Sequence, residues 1–144
     1  MAAVLVPAVL TASLALAAQV PSVPRPLDGT YWKAIELDGH QVPAQVREIY
    51  LLLQEEGRVS GSDGCNRVAG LFRTDGTEVR FSHMAVTKMA CIDGVDLSGA
   101  FYKALKRAWR LSATGERLEL FDWRDRRVAV FLVVSSPQAD SGQR

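Results

Sequence analysis

One stretch of this chain departs from its β-forming surroundings, and it limits the fold more than any other feature. From Asp96 the sequence reads DLSGAFYKALKRAW. Phe101, Ala104, Leu105, Ala108 and Trp109 recur at i, i+3, i+4, i+7 and i+8, which is one face of an α-helix. Asp96 or Ser98 can cap its start. A lone helix with one apolar stripe has no helical neighbour, so it must bury that stripe on a sheet.

The rest of the chain supplies the sheet. Residues 30–37 (TYWKAIEL) have strand composition and end at the turn Asp38-Gly39. Residues 48–54 put Ile49, Leu51 and Leu53 on one face. Glu56-Gly57 is a turn, residues 58–61 start the next strand, and GSDG bends the chain. Strand character resumes over 66–73, where Gly70 marks a bulge or a close backbone approach. Asp75-Gly76 is a hairpin signal, and 78–82 alternates with Val79 and Phe81 facing in. After the helix, 117–122 and 127–134 return to strand, the last run apolar on both faces as in a covered strand. The expected fold is α+β, a strongly twisted antiparallel sheet forming a half-barrel curled around the single helix.

The ends read differently. Residues 2–18 carry no charged side chain, and Ala15-Leu16-Ala17 fits the small-x-small cleavage rule. The run is about the shortest that spans a bilayer, but Pro7 and its small-residue end favour a cleaved signal. We therefore expect a signal peptide over 1–18, a Pro-rich linker over 19–28 with Pro21, Pro24 and Pro26, a folded domain over 29–134, and a flexible polar tail over 135–144. No cysteine stands at the cleavage site, so the expectation is a soluble periplasmic or secreted protein, not a lipoprotein. Seventeen Lys and Arg balance sixteen Asp and Glu, which gives no case for a nucleic-acid partner.

The two cysteines are Cys65, inside the turn sequence GSDGCN, and Cys91. A cysteine in a glycine turn is a nucleophile, a metal ligand or one end of a bridge. A nucleophile needs a base. The only histidines, His40 and His83, sit in turn-like or strand-end settings with no motif to orient them. Zinc needs spaced pairs such as C-x-x-C, and there are none. An exported chain with two cysteines favours a Cys65–Cys91 disulfide over two buried free thiols. The loop it closes, about 25 residues, corresponds to roughly 3–4 kcal/mol. Gly61 and Gly64 would let the backbone turn tightly enough to aim the sulfur.

Lys103, Lys106, Arg107 and Arg110 line one side of the helix. They read as a solvated face, or as a surface for an acidic partner or anionic lipid. Phe81, Met84, Met89 and Trp109 read as core, or as the lining of an apolar ligand site. No carboxylate pair is placed for acid–base work. We expect no cofactor, no metal and no catalysis.

The motifs GRVSGSDGCNRVAGLF (57–72) and AVTKMAC (85–91), with Tyr31-Trp32 before them and RLELF (117–121) after the helix, resemble the META domain family, which includes HslJ-like heat-shock proteins. That family's pattern is similar to G-x-x-x-G-x-x-x-C-N-x-x-x-G followed by T-[KR]-M-x-C. Gly57, Gly61, Cys65, Asn66 and Gly70 match the first part, with Gly64 beside the cysteine, and Thr87, Lys88, Met89 and Cys91 match the second. Ser98 stands where many members carry Glu, and the lipid-accepting cysteine of some members is missing. The resemblance implies a curled antiparallel sheet around one helix. It implies a small envelope protein associated with heat or antibiotic stress, and no reaction. It implies structural roles for the motif, with Asn66 bonding turn backbone and Thr87 and Lys88 bracing the neighbouring strand. The expected partner is an envelope protein or lipid met by a monomer. The alternatives are an apolar-ligand carrier, or a hydrolase inhibitor using the 40–45 loop.

Overall fold

The computed structural model describes residues 26–91 and 95–134. The expected signal peptide, most of the linker, the tail and the Asp96 side chain lie outside the described residues. The elements are β1 (Thr30–Leu37), β2 (His40–Gln41), β3 (Ile49–Gln54), a 3-10 turn (Glu55–Gly57), β4 (Arg58–Asp63), β5 (Arg67–Asp75), β6 (Glu78–Val86), α1 (Val95–Arg107), β7 (Arg110–Thr114), β8 (Arg117–Phe121) and β9 (Arg127–Val133).

All neighbouring strands are antiparallel, in the order β2-β1-β3-β4-β5-β6-β7-β8-β9. β9 also pairs back onto β1, with Trp32 opposite Val133 and Ala34 opposite Phe131. The sheet is therefore a closed barrel of β1 and β3 to β9, with β2 as a short hairpin arm. The expected half-barrel is corrected to a closed one. The missing piece was β7, whose five residues RLSAT alternate but offer only Leu111 and the small Ala113 to the core, directly behind the helical pattern. It links the start of β6 to β8 and so closes the sheet. The β6–β7 seam is narrow. Glu78 opposite Arg110 is its register pair, extended by Val79 N–H to Trp109 O at 2.8 Å and Leu111 N–H to Thr77 O at 2.8 Å. At Gly70 the β5–β6 register shifts between Ala69 and Leu71, a bulge at the position the glycine marked.

Phe101, Ala104 and Leu105 of α1, with Ala108 just beyond it, are buried in one cluster with Trp32, Leu51, Val59, Leu118 and Phe131. Each large side chain of this kind stabilises the fold by about 1.5–3 kcal/mol on full burial. Trp109 does not join them. The helix ends at Arg107, so the next turn never forms, and Trp109 stands 43% exposed with the Arg80 guanidinium 3.3 Å from its ring centroid.

β9 is buried on both faces for two reasons. Ala129 and Phe131 join the core cluster. Val130 faces outward yet is 0% exposed. Its register partners are Glu36 and Glu119, and Arg127 bonds both carboxylates, at 3.2 Å and 3.5 Å. The stems of these three side chains cover the valine.

Candidate functional site

The turn GSDGCN is built around one buried carboxylate. Asp63, at the end of β4, is 2% exposed. Its Oδ1 accepts the backbone N–H of Cys65 at 2.8 Å and of Asn66 at 2.6 Å. Its Oδ2 accepts the Tyr102 hydroxyl at 3.0 Å, and its carbonyl accepts the Ser98 hydroxyl at 3.2 Å. One residue thus shapes the turn and ties it to α1. Burial first, then the bond to Asp63, push the Tyr102 hydroxyl well above its ordinary pKa. Gly64 follows with φ +91°, a backbone that side chains oppose. Gly61 is required for another reason: a Cβ there would collide with the Tyr50 carbonyl oxygen on β3.

Beyond the turn, Cys65 and Cys91 are bridged, with Cα atoms 5.9 Å apart. Both sulfurs are consumed, which removes the thiol-nucleophile alternative. Asn66 does not bond the turn backbone as expected; Asp63 does that. The Asn66 Oδ1 instead reaches across to accept the Met89 N–H at 2.6 Å and the Thr87 hydroxyl at 3.2 Å. Thr87 in turn exchanges bonds with Arg67, accepting its N–H on Oγ1 at 3.0 Å and donating its own N–H to the Arg67 carbonyl at 3.1 Å. The Lys88 and Met89 side chains are exposed. Gly57 closes the 3-10 turn before β4.

Beside the bridge lies a cleft of about 570 Å³, within the size range of small-molecule sites. Val46, Ile49, Met89 and Leu97 give it apolar walls, and Arg47 and Asp63 are the charged residues of its lining. Of the four residues named for an apolar site, only Met89 is here. Phe81 and Met84 pack against the core, and Trp109 is on the outside. Among the described residues no group of His, Cys, Asp or Glu is arranged to hold a metal.

The basic side of α1 meets carboxylates of its own chain. Lys103 Nζ and Arg107 Nη1 both bond Asp38, each at 2.6 Å. Arg107 Nη2 reaches Asp122 at 2.9 Å. Arg110, expected on the same side of the helix, instead opens β7 because α1 ends at Arg107; there it bonds Asp125 at 2.9 Å and lies 4.1 Å over the Phe121 ring. Lys106 is exposed, with no ion pair among the described residues. The Lys103 ammonium, helped by Arg107 against the effect of burial, holds Asp38 below the usual carboxylate range. Burial alone would raise Asp122, but the Arg126 and Arg124 N–H groups and the Arg107 and Arg126 guanidiniums outweigh it and hold it far lower. Composition revealed this basic side. Its partners, Asp38 and Asp122, gave no local signal.

The META domain family model matches residues 25–135. The fold is similar to an NMR structure of a protein from Burkholderia xenovorans, at 24% identity and TM-score 0.62, covering 88% of this chain and 99% of that one. A second NMR structure is 20% identical with TM-score 0.61, over 81% and 95% of the two chains. The crystal structure of a duf4847 family protein from Bacteroides vulgatus is 14% identical with TM-score 0.58, over 74% and 93%. No curated protein matches. At these identities the structures speak for the fold alone. The family match covers the whole described barrel, helix included, and the chain belongs to the META domain family.

Proposed function

We propose that this is a noncatalytic, exported META-domain protein that helps the cell envelope tolerate heat or drug stress by binding an envelope component in the cleft beside the Cys65–Cys91 bridge. One observation carries the reading: the cleft adjoins a wall fixed by a covalent bridge and by the Asp63 and Asn66 hydrogen bonds. A preformed cleft binds without the free-energy cost of ordering its walls. Its apolar floor and the Arg47 cation suit an apolar group that ends in a negative charge.

The test is a strain lacking the gene, complemented with the wild-type chain or with Arg47→Glu plus Met89→Lys. The expected result is reduced survival of heat and envelope-active drugs, restored by the wild type and not by the cleft variant. Unchanged tolerance in the deletion strain overturns the stress role. Rescue by the cleft variant overturns the cleft. A second reading, favoured by the apolar cleft walls, has the protein carry a free apolar ligand. A native mass above the denatured mass by a lipid-sized amount selects it. The denatured mass also tests export: it should begin near Gln19 and fall two hydrogens short of the dithiol form.

A further inference from the structure

Where α1 hands over to β7, the surface has a chemistry that the cleft does not explain. Two tryptophans stand outside the core, Trp109 at 43% and Trp123 at 67% exposure. Each carries an arginine on its ring. Arg80 lies 3.3 Å from the Trp109 centroid and Arg124 lies 4.4 Å from that of Trp123. The Arg110–Asp125 pair joins the two places, since Arg110 follows Trp109 and Asp125 shares a turn with Trp123.

Charge on this face is uneven. Among the described residues, neither Arg80 nor Arg124 has a carboxylate within ion-pair distance. Arg80 stands directly across the β5–β6 ladder from Arg73. Like charges so placed destabilise a sheet. Asp75 and Glu78, two register pairs along the same ladder, form no ion pair with either arginine among the described residues. The chain as a whole is close to neutral, so this excess is local.

We propose that the face bearing Trp109, Trp123, Arg80 and Arg124 docks on an anionic lipid surface. Indoles favour the boundary between water and hydrocarbon, because the ring is apolar and its N–H is polar. Guanidiniums match phosphate with paired donors. The outer wall of a closed barrel is convex, which suits a flat, extended partner. A nucleic acid fits less well. Bases stack on open aromatic faces, and here a guanidinium already covers one face of each indole.

The test uses the full chain with vesicles of phosphatidylcholine, alone or mixed with phosphatidylglycerol. Phosphatidylcholine vesicles report any binding by the apolar N-terminal run, which every variant shares. The expected result is co-sedimentation that rises with phosphatidylglycerol, falls with salt, and shifts tryptophan emission to the blue. Loss of one arginine should weaken it roughly fivefold. Arg80→Glu with Arg124→Glu should abolish the phosphatidylglycerol-dependent part, and Trp123→Ala should remove most of the blue shift. These side chains are exposed, so melting temperatures should hold. Lys88→Glu makes the same kind of charge change beyond the far end of β6 and should alter binding by less than about twofold. Equal binding to both lipid mixtures overturns the proposal. So does undiminished binding by the double charge reversal, an equal loss in Lys88→Glu, or tighter binding to a duplex oligonucleotide than to vesicles.

Discussion

Toward its N-terminus, α1 is tied to the barrel by two hydroxyls, Ser98 and Tyr102, that meet Asp63 beside a covalent bridge. Toward its C-terminus it is tied by ion pairs, Lys103 and Arg107 to Asp38 and Arg107 again to Asp122. The same helix is thus held by two kinds of chemistry. The first adjoins a bridge that a reductant opens and depends on a donor that ionises only in strong alkali. The second fails when its carboxylates take up protons. Reductant, acid and base therefore act on the two attachments separately.

The largest expected effect is at the bridge. Cys65 and Cys91 are separated by 26 residues, and closing a loop of that size stabilises the fold by roughly 3.5 kcal/mol. Replacing both cysteines by serine should lower Tm by about 10–20 °C, read by thermal denaturation. A reductant should do the same to the wild type and nothing to the double variant. A wild type that melts at the same temperature with and without reductant would remove the bridge from the comparison and leave hydrogen bonds as the whole attachment.

What could be read in advance followed the range of the interactions. The apolar face of α1 and the doubly covered β9 were legible because burial imposes a period on neighbouring residues. Closure of the barrel was not. β7 follows the helix after two residues, and its alternation is short, with only Leu111 and the small Ala113 to mark the inner face. Trp109 continued the helical spacing past the point where the chain had already turned into β7. The cysteines and glycines of the turn were legible as a motif, but the role of Asp63 was not. Its partner Tyr102 is 39 residues away, and nothing near Asp63 announces that distant donor. The basic side of α1 had the same limit, with Asp38 lying 65 residues from Lys103.

A graded effect should come from pH, with opposite signs at the two attachments. Asp38 and Asp122 have native pKa values below the ordinary one near 4. The unfolded chain then binds protons that the native state refuses. Their contribution is complete above about pH 5 and drains as pH falls through 4 and below. Tyr102 is raised instead. Its contribution is complete below about pH 9 and drains as pH rises past its unfolded value near 10. Urea midpoints across pH should show both arms. Tyr102→Phe should shrink only the alkaline arm, with Tyr31, also raised by burial and by Glu48, supplying what is left. Arg107→Ala should shrink only the acid arm. If either variant flattens both arms, the two attachments are one coupled unit.

The smallest effects separate the cations of the ionic attachment from one another. Lys103 and Arg107 share Asp38, but the Lys103 side chain is 61% exposed and the Arg107 side chain 30%. Exposed ion pairs contribute about 0–1 kcal/mol because solvent screens them and both side chains lose freedom. Lys103→Ala should therefore cost about 0.5 kcal/mol, fading in high salt, and Lys106→Ala should stay within about 0.5 kcal/mol of the wild type. Arg107→Ala should exceed both, because it deprives the buried Asp122 of one of its two guanidiniums. An equal loss from Lys103→Ala and Arg107→Ala would move the weight of the attachment from Asp122 to Asp38. The ionic attachment would then belong to the β1 turn and not to the turn before β9.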